Sequence, residues 1–302
     1  MLGTLLGRRP DWFSAGEIRY LWQRGLIERR LCGCGLPVPE CPVWTQALAA
    51  AVGDSGLLEA PTIVDHLDRL SSPALIARAL RTHRPPPAGQ LGTLPDTLTR
   101  LYRGLRDVTG SAVIVDTSKP PTYGWLLDTL PDIDLYTVHL VRDPRAVAFS
   151  WQRRKPARDQ TDGTLLARKQ PAASAVHWTA WNSVADRLGH RRPDRYLRLR
   201  YEDLVADPDG TVERIAALVD TPGVADVRST DEPTADDVNH AVAGNPSRFE
   251  RGDITISIDR EWETGLAARD RHIVEAICAP LTTRYGYPLY TRPDRTTTQE
   301  MR

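Results

Sequence analysis

Two short apolar runs without polar alternation stand out along the chain. They are "AVIVD" at 112–116 and "LYTVHLV" at 135–141. Short β-branched runs bounded by turn residues predict strands buried in a parallel sheet. Most other apolar positions recur every three or four residues and predict helices. Leu2, Leu5 and Leu6 share one helical face, and residues 59–84 form two short amphipathic helices. "TLPDTLTRLYRGLRDVTG" is a helix closed by Gly110, and the helix after the turn "TSKPP" ends near Pro131. "SAGEIRYLWQRGLIERR" reads as loop then helix, with Glu17 near the helix start. "ASAVHWTAWNSVADRLG" is a long helix. "RYLRLRYEDLV" is a strand running into an acidic turn, "PDGTVERIAALVD" is a helix, and two helices close the chain near "RYGYP". Residues 154–172 are polar and broken by Gly and Pro, as in a mobile loop over a site or a plain connector. Three β–α alternations predict an α/β fold: a doubly wound parallel sheet with flanking helices, in one domain over 1–290. The tail, 291–302, is expected to be disordered.

Composition narrows the function. The 302 residues are 41% hydrophobic and 26% charged, and Lys+Arg and Asp+Glu both number 39. Without a global field to draw nucleic acid, any anion site must be local. No apolar run approaches the ~20 residues needed to span a bilayer, and no secretory signal opens the chain. A cytoplasmic protein without stable membrane insertion is expected. Lysine occurs only at 119, 155 and 169, an arginine bias typical of coding in a GC-rich, bacterial genome. Cys32, Cys34 and Cys41 cluster in "LCGCGLPVPECPVW", while Cys278 lies far away in a helix. A C-x-C-x6-C cluster holds three possible zinc ligands but no obvious nearby fourth. A Gly/Pro-rich surface loop with reduced thiols or one labile disulfide is the favoured reading, and no metal is expected.

The local anion site is sought at "LVRDPRAVAFSW", 140–151. Asp143 offers an N-cap oxygen and Pro144 fits the first helical position. Arg142 therefore sits at the carboxyl end of a strand, beside a helix N-terminus that favours anions. In an open α/β sheet, ligands bind at that edge. Ser150, two turns into the helix, can offer a hydroxyl to the same anion. The plainer reading is a strand-to-helix turn with Arg142 salt-bridged to its own Asp143.

"RDPRAVAFS" resembles the 3'-phosphate motif of the sulfotransferase family, R-(N/D)-P-(K/R)-x-V-x-x-S, at every defined position. The resemblance implies a P-loop-type α/β fold. It also implies transfer of a sulfuryl group from 3'-phosphoadenylyl sulfate (PAPS), as co-substrate, to an acceptor hydroxyl or amine. Carried over, Arg142 and Ser150 hold the 3'-phosphate. "VIVDTSK" resembles the strand and turn whose lysine, here Lys119, contacts the transferring group. "LRYEDL" resembles the strand end whose tyrosine, here Tyr201, borders the adenine. "AGNPSRFERG" is similar to the late loop closing over the nucleotide, with Arg248 as its 3'-phosphate contact. Glu17 in "SAGEIRYLW" resembles the Gly-Glu of tyrosylprotein-type sulfotransferases, where that glutamate is the proposed base; otherwise it is a first-turn glutamate complementing a helix dipole. His240 is the next candidate base, and His139 and His177 are expected to be structural. The base of the cytosolic branch, a histidine just after the turn lysine, is replaced by Pro120 and Pro121.

The family's first strand, and a loop resembling G-x-x-R-S-G-(T/S)-T that holds the 5'-phosphosulfate, have no counterpart in these residues. "MLGTLLGRRP" resembles the helix that follows that loop. Either the start was assigned too far downstream, which is favoured because the missing strand would be central to the sheet, or the chain is a catalytically dead, truncated remnant that binds nucleotide or acceptor. A kinase of related fold would need G-x-x-x-x-G-K-(S/T) and magnesium ligands. The acceptor, whether small molecule, glycan or lipid, and the oligomeric state are not legible.

Overall fold

Local chemistry explains where the elements begin and end. The computed structural model describes residues 1–53, 56–82, 91–154, 156, 158–160, 164–165, 167–219, 238–244, 246–249 and 258–288. The tail 291–302 and parts of 154–172 lie outside the described residues. Helix α1 (Leu2–Leu6) leads into strand β1 (Trp12–Gly16), a 3₁₀ turn (Ile18–Tyr20) and a π-helical stretch (Leu21–Ile27). Helices α2 (Pro42–Val52), α3 (Gly56–Leu70), α4 (Pro73–Thr82) and α5 (Leu94–Thr109) follow; α5 ends at Gly110 in the left-handed conformation, φ 65°. Then come β2 (Val113–Asp116), α6 (Pro121–Leu127), β3 (Thr137–Val141) and α7 (Pro144–Gln152). The chain continues through α8 (Pro171–Arg191), β4 (Tyr196–Arg200), α9 (Tyr201–Ala206), α10 (Pro208–Val219), α11 (Glu261–Gly265) and α12 (Ala268–Arg284).

The strands pair in parallel, as expected, but not in one sheet. Among the described residues β1 pairs with β2, Trp12 opposite Val113, and β3 pairs with β4, Thr137 opposite Tyr196. Side chains join the two pairs instead. Leu6, Trp12, Leu199, Ile215 and Val219 form one buried cluster, against which Val113, Val115, Val138 and Leu140 pack. Strand β1 was not expected: "WFSAG" is short, and Ser, Ala and Gly are poor strand formers. A larger core contains Trp22, Trp44, Leu94, Leu98 and Leu101, so these tryptophans are packing residues. Another, around Val141, Ala148, Ala175, Trp178 and Val274, binds α7, α8 and α12. Among the described residues no helix is long and apolar enough to cross a membrane.

Candidate functional site

Strands β1 and β2 run side by side and end together, with Gly16 opposite Asp116. Gly16 has φ 80°, and a Cβ there would lie 2.3 Å from the Val242 carbonyl oxygen, so only glycine fits. The close approach lets the 239–244 segment dock on the strand end: Glu17 N–H donates to Val242 O (2.7 Å), and Val242 N–H to Ala15 O (2.9 Å). Asp116 organises the two turns that follow. Its carboxylate accepts from the N–H groups of Ser118 (2.7 Å) and Ile18 (3.3 Å) and from the Tyr102 hydroxyl (2.5 Å). Burial pushes its pKa upward, against these bonds. Arg19 N–H donates to Ser118 Oγ (3.0 Å), and Thr117 N–H to Gly16 O (2.7 Å).

This lacing brings Glu17 and Lys119, 102 residues apart, into a direct ion pair between Lys119 Nζ and Glu17 Oε1. Arg24 stands 3.9 Å from the other carboxylate oxygen. The Glu17 side chain is 5% exposed and that of Lys119 is 67% exposed. The carboxylate is thus the fixed, buried partner, and the lysine reaches it from the solvent side. Glu17 is not a residue in the first turn of an α-helix. It follows the strand end, at φ −99° and ψ 81°, and makes no side-chain cap bond.

A second group forms at the ends of β3 and β4. Asp143 caps α7 by accepting from Arg145 N–H (2.8 Å), and the Arg145 guanidinium clamps the same carboxylate at 3.0 and 2.7 Å. Arg145 is buried, stacks on Trp262 and also pairs with Glu275 at 3.2 Å. The second arginine of "RDPR" is therefore structural and occupies Asp143, which leaves Arg142 to face elsewhere. Arg142 lies over the Tyr201 ring, 4.7 Å from its centroid, as the paired strand ends Val141 and Arg200 require. Its carbonyl accepts from Trp178 Nε1 (3.0 Å). Ser150 is half-buried on α7.

Sequence reasoning missed Asp259, whose Oδ2 lies 3.4 Å from Arg142 and 3.3 Å from Arg153, a carboxylate held where two guanidiniums converge. Arg248 is buried on the flank of Glu17. It donates to Gly244 O (3.0 Å), pairs with Asp159 (3.1 Å) and lies over Phe249. A Cβ on Gly244 would in turn lie 3.5 Å from Glu17 Cγ. His139 is structural, bonded to Tyr196 and Asn182, and His177 stacks on Trp181.

The expectation of no metal is overturned. Cys32, Cys34, Cys41 and His240 present four ligand atoms that all lie within 4.8 Å of one another. The fourth ligand is His240, invisible in the local spacing because it is 199 residues from Cys41. Cys32 and Cys41 are buried and none of the cysteines is disulfide-bonded, so this is neither a surface loop nor a bridge. His240 Nδ1 lies 3.2 Å from Cys41 Sγ, so the reserve candidate base faces thiols. The Cys32 thiol, against burial and with His240 and the Trp44 and Val43 N–H groups, holds the Cys41 thiol below its usual range. Donation to Cys41, and burial, push Cys32 upward.

The chain was compared with known proteins in three ways. Residues 65–226, which include Lys119, Arg142, Ser150 and Tyr201, match the model of the sulfotransferase family. Carbohydrate sulfotransferase 3 of Mus musculus is 26% identical over 181 residues, 53% of this chain and 35% of that protein. Carbohydrate sulfotransferase 5 of Mus musculus is 33% identical over 100 residues, 29% of this chain and 25% of that protein. The chain thus spans about a third and a quarter of the lengths of these relatives. No solved structure matches it. With the match covering more than half of its residues, the chain belongs to the sulfotransferase family.

Proposed function

We propose that the protein binds PAPS through Arg142, Ser150 and Tyr201 and passes its sulfuryl group to a carbohydrate hydroxyl, with Glu17 and Lys119 at the reacting atoms. The buried Glu17 in contact with Lys119 carries the reading, because it joins a carboxylate to an exposed cation at one strand edge. Arg142 stacked on Tyr201 adds a cation beside an aromatic face, suited to a phosphate and a purine. The carbohydrate acceptor rests on the names of the two mouse relatives.

In the transfer, the acceptor oxygen attacks sulfur in line as the bond from sulfur to the bridging phosphate oxygen breaks. Such a loose transition state is served mainly by positioning and charge. Lys119 leaves Glu17 to neutralise the sulfuryl and bridging oxygens, which its exposed stem permits. The freed Glu17 carboxylate takes the acceptor proton. The products are the sulfate ester and 3'-phosphoadenosine 5'-phosphate.

Calorimetric titration with 3'-phosphoadenosine 5'-phosphate and with 5'-AMP tests the donor site. The bisphosphate should bind more tightly, and Arg142→Ala should weaken it by ~1.5 to 3 kcal/mol, the range for a charged hydrogen bond. Equal affinity for the two nucleotides would overturn the assignment of Arg142 and Ser150.

A further inference from the structure

The four clustered ligands belong to no step of sulfuryl transfer, and they sit where the 239–244 segment closes on the N-terminal residues, 199 residues separating Cys41 from His240. Cys32 and Cys34 lie on a tight knuckle: Gly35 N–H donates to Cys32 O (2.9 Å) and Cys32 N–H to Leu36 O (2.8 Å). Gly33 between them abuts Asn239, and a Cβ there would fall 1.8 Å from Asn239 Oδ1. Cys41 precedes the first residue of α2. His240 is delivered from 199 residues beyond Cys41 by bonds to its own carbonyl and to the next one. Gly33 N–H donates to Ala241 O (3.0 Å), and Trp44 Nε1 to His240 O (2.7 Å).

We infer that Cys32, Cys34, Cys41 and His240 form a closed zinc site that staples the 239–244 segment to the N-terminal knuckle. Three sulfurs and one imidazole nitrogen are a soft donor set that selects Zn²⁺ and gives a four-coordinate tetrahedral site. With Zn–S near about 2.3 Å, tetrahedral sulfurs stand about 3.8 Å apart. A cluster whose ligand atoms all lie within 4.8 Å of one another needs only a small contraction to reach that. Four protein ligands leave no open position, so the site is structural and not a source of hydroxide. Its role follows from what His240 is tied to. Two residues on, Val242 bonds to Ala15 and Glu17, and Gly244 then packs on Glu17 and accepts from Arg248. A metal on His240 thus fixes the segment that forms the wall behind Glu17. The inference stands whether or not the chain transfers sulfuryl groups.

The test begins with protein purified under reducing conditions without chelator, its metal counted by inductively coupled plasma mass spectrometry. About one zinc per chain is expected. Cobalt exchanged into the zinc-stripped protein should show thiolate-to-metal charge transfer and the intense visible bands of a tetrahedral ion. Cys41→Ser and His240→Ala should each weaken retention against a chelator, while Cys278→Ser should not. Hydrogen exchange followed by mass spectrometry reads the role: zinc removal should deprotect the peptides holding the Glu17 and Val242 amides, leave α12 protected, and be reversed by added zinc. No stoichiometric metal together with no tetrahedral cobalt spectrum would overturn the site, as would iron in its place. Unchanged protection of both peptides would overturn the staple.

Discussion

Glu17 and Lys119 act as a pair because two turns are sewn together through Asp116, so their substitution should separate chemistry from binding. Glu17→Gln keeps the shape of the buried side chain but removes the proposed proton acceptor. Lys119→Ala removes the exposed cation paired with it. Each should lower turnover with PAPS by ~10²- to 10⁴-fold with little change in nucleotide affinity, as expected for groups that act in the transition state. Steady-state kinetics beside calorimetric titration checks this, and full activity in Glu17→Gln would move the base elsewhere. At Asp186 the prediction concerns acid stability. Burial alone would raise this carboxyl, but His139, Tyr285 (2.8 Å) and the Arg284 charge (3.4 Å) hold it down at about 2. A depressed acid stabilises the fold above its unfolded value of about 3.9, and that contribution is lost as pH falls from there through about 2. Asp186→Asn should therefore be less stable at neutral pH by about 2 to 3 kcal/mol. Between pH 4 and 2 it should lose less stability than the wild type, in urea unfolding series at stepped pH.

At the scale of elements, legibility followed locality. The N-cap Asp143 and Pro144 of α7, the Gly110 stop of α5 and the runs that became β2 and β3 depend on neighbours in sequence, and all were readable. The strand β1 was not, because only Trp12 and Phe13 of "WFSAG" favour a strand and the segment owes its form to β2 and to Val242. The same limit hid His240, which pairing with Ala15 and Gly33 carries to the cysteines. It also hid the partner of Asp143: Arg142 and Arg145 both lie within reach in sequence, and only α7, α11 and α12 together decide that Arg145 is the buried one. The segment before α11 supplies Asp259 to Arg142 and Arg153, at the place proposed above for the 3'-phosphate. An anionic ligand must displace this carboxylate. Asp259→Asn should accordingly bind 3'-phosphoadenosine 5'-phosphate several-fold more tightly and with a steeper salt dependence. Weaker binding in that variant would mean that Asp259 supports the site instead of occupying it.

Across the whole molecule, the α/β class and parallel pairing were readable from period and order alone, but the continuity of the sheet was not. Periodicity reports which faces are apolar, not which strand lies next to which. The two strand pairs depend on the cluster where Trp12 and Leu6 meet Leu199, Ile215 and Val219, because among the described residues no ladder bonds link β2 to β3. This cluster joins the β1–β2 pair, which is followed by Glu17 and Lys119, to the β3–β4 pair, which is followed by Arg142 and Tyr201. Leu199 is buried near the end of β4, opposite Leu140 of β3. Leu199→Ala leaves a cavity at that junction and should cost about 2 to 5 kcal/mol. Were the strand pairs independent, the loss would fall on the β3–β4 half alone and calorimetry would resolve two transitions. If the cluster couples them, the variant should melt in one transition at lower temperature. Its affinity for 3'-phosphoadenosine 5'-phosphate, measured well below that transition, should remain close to that of the wild type. Two resolved transitions would show that the halves fold separately and that the shared cluster does not bind them into one cooperative unit.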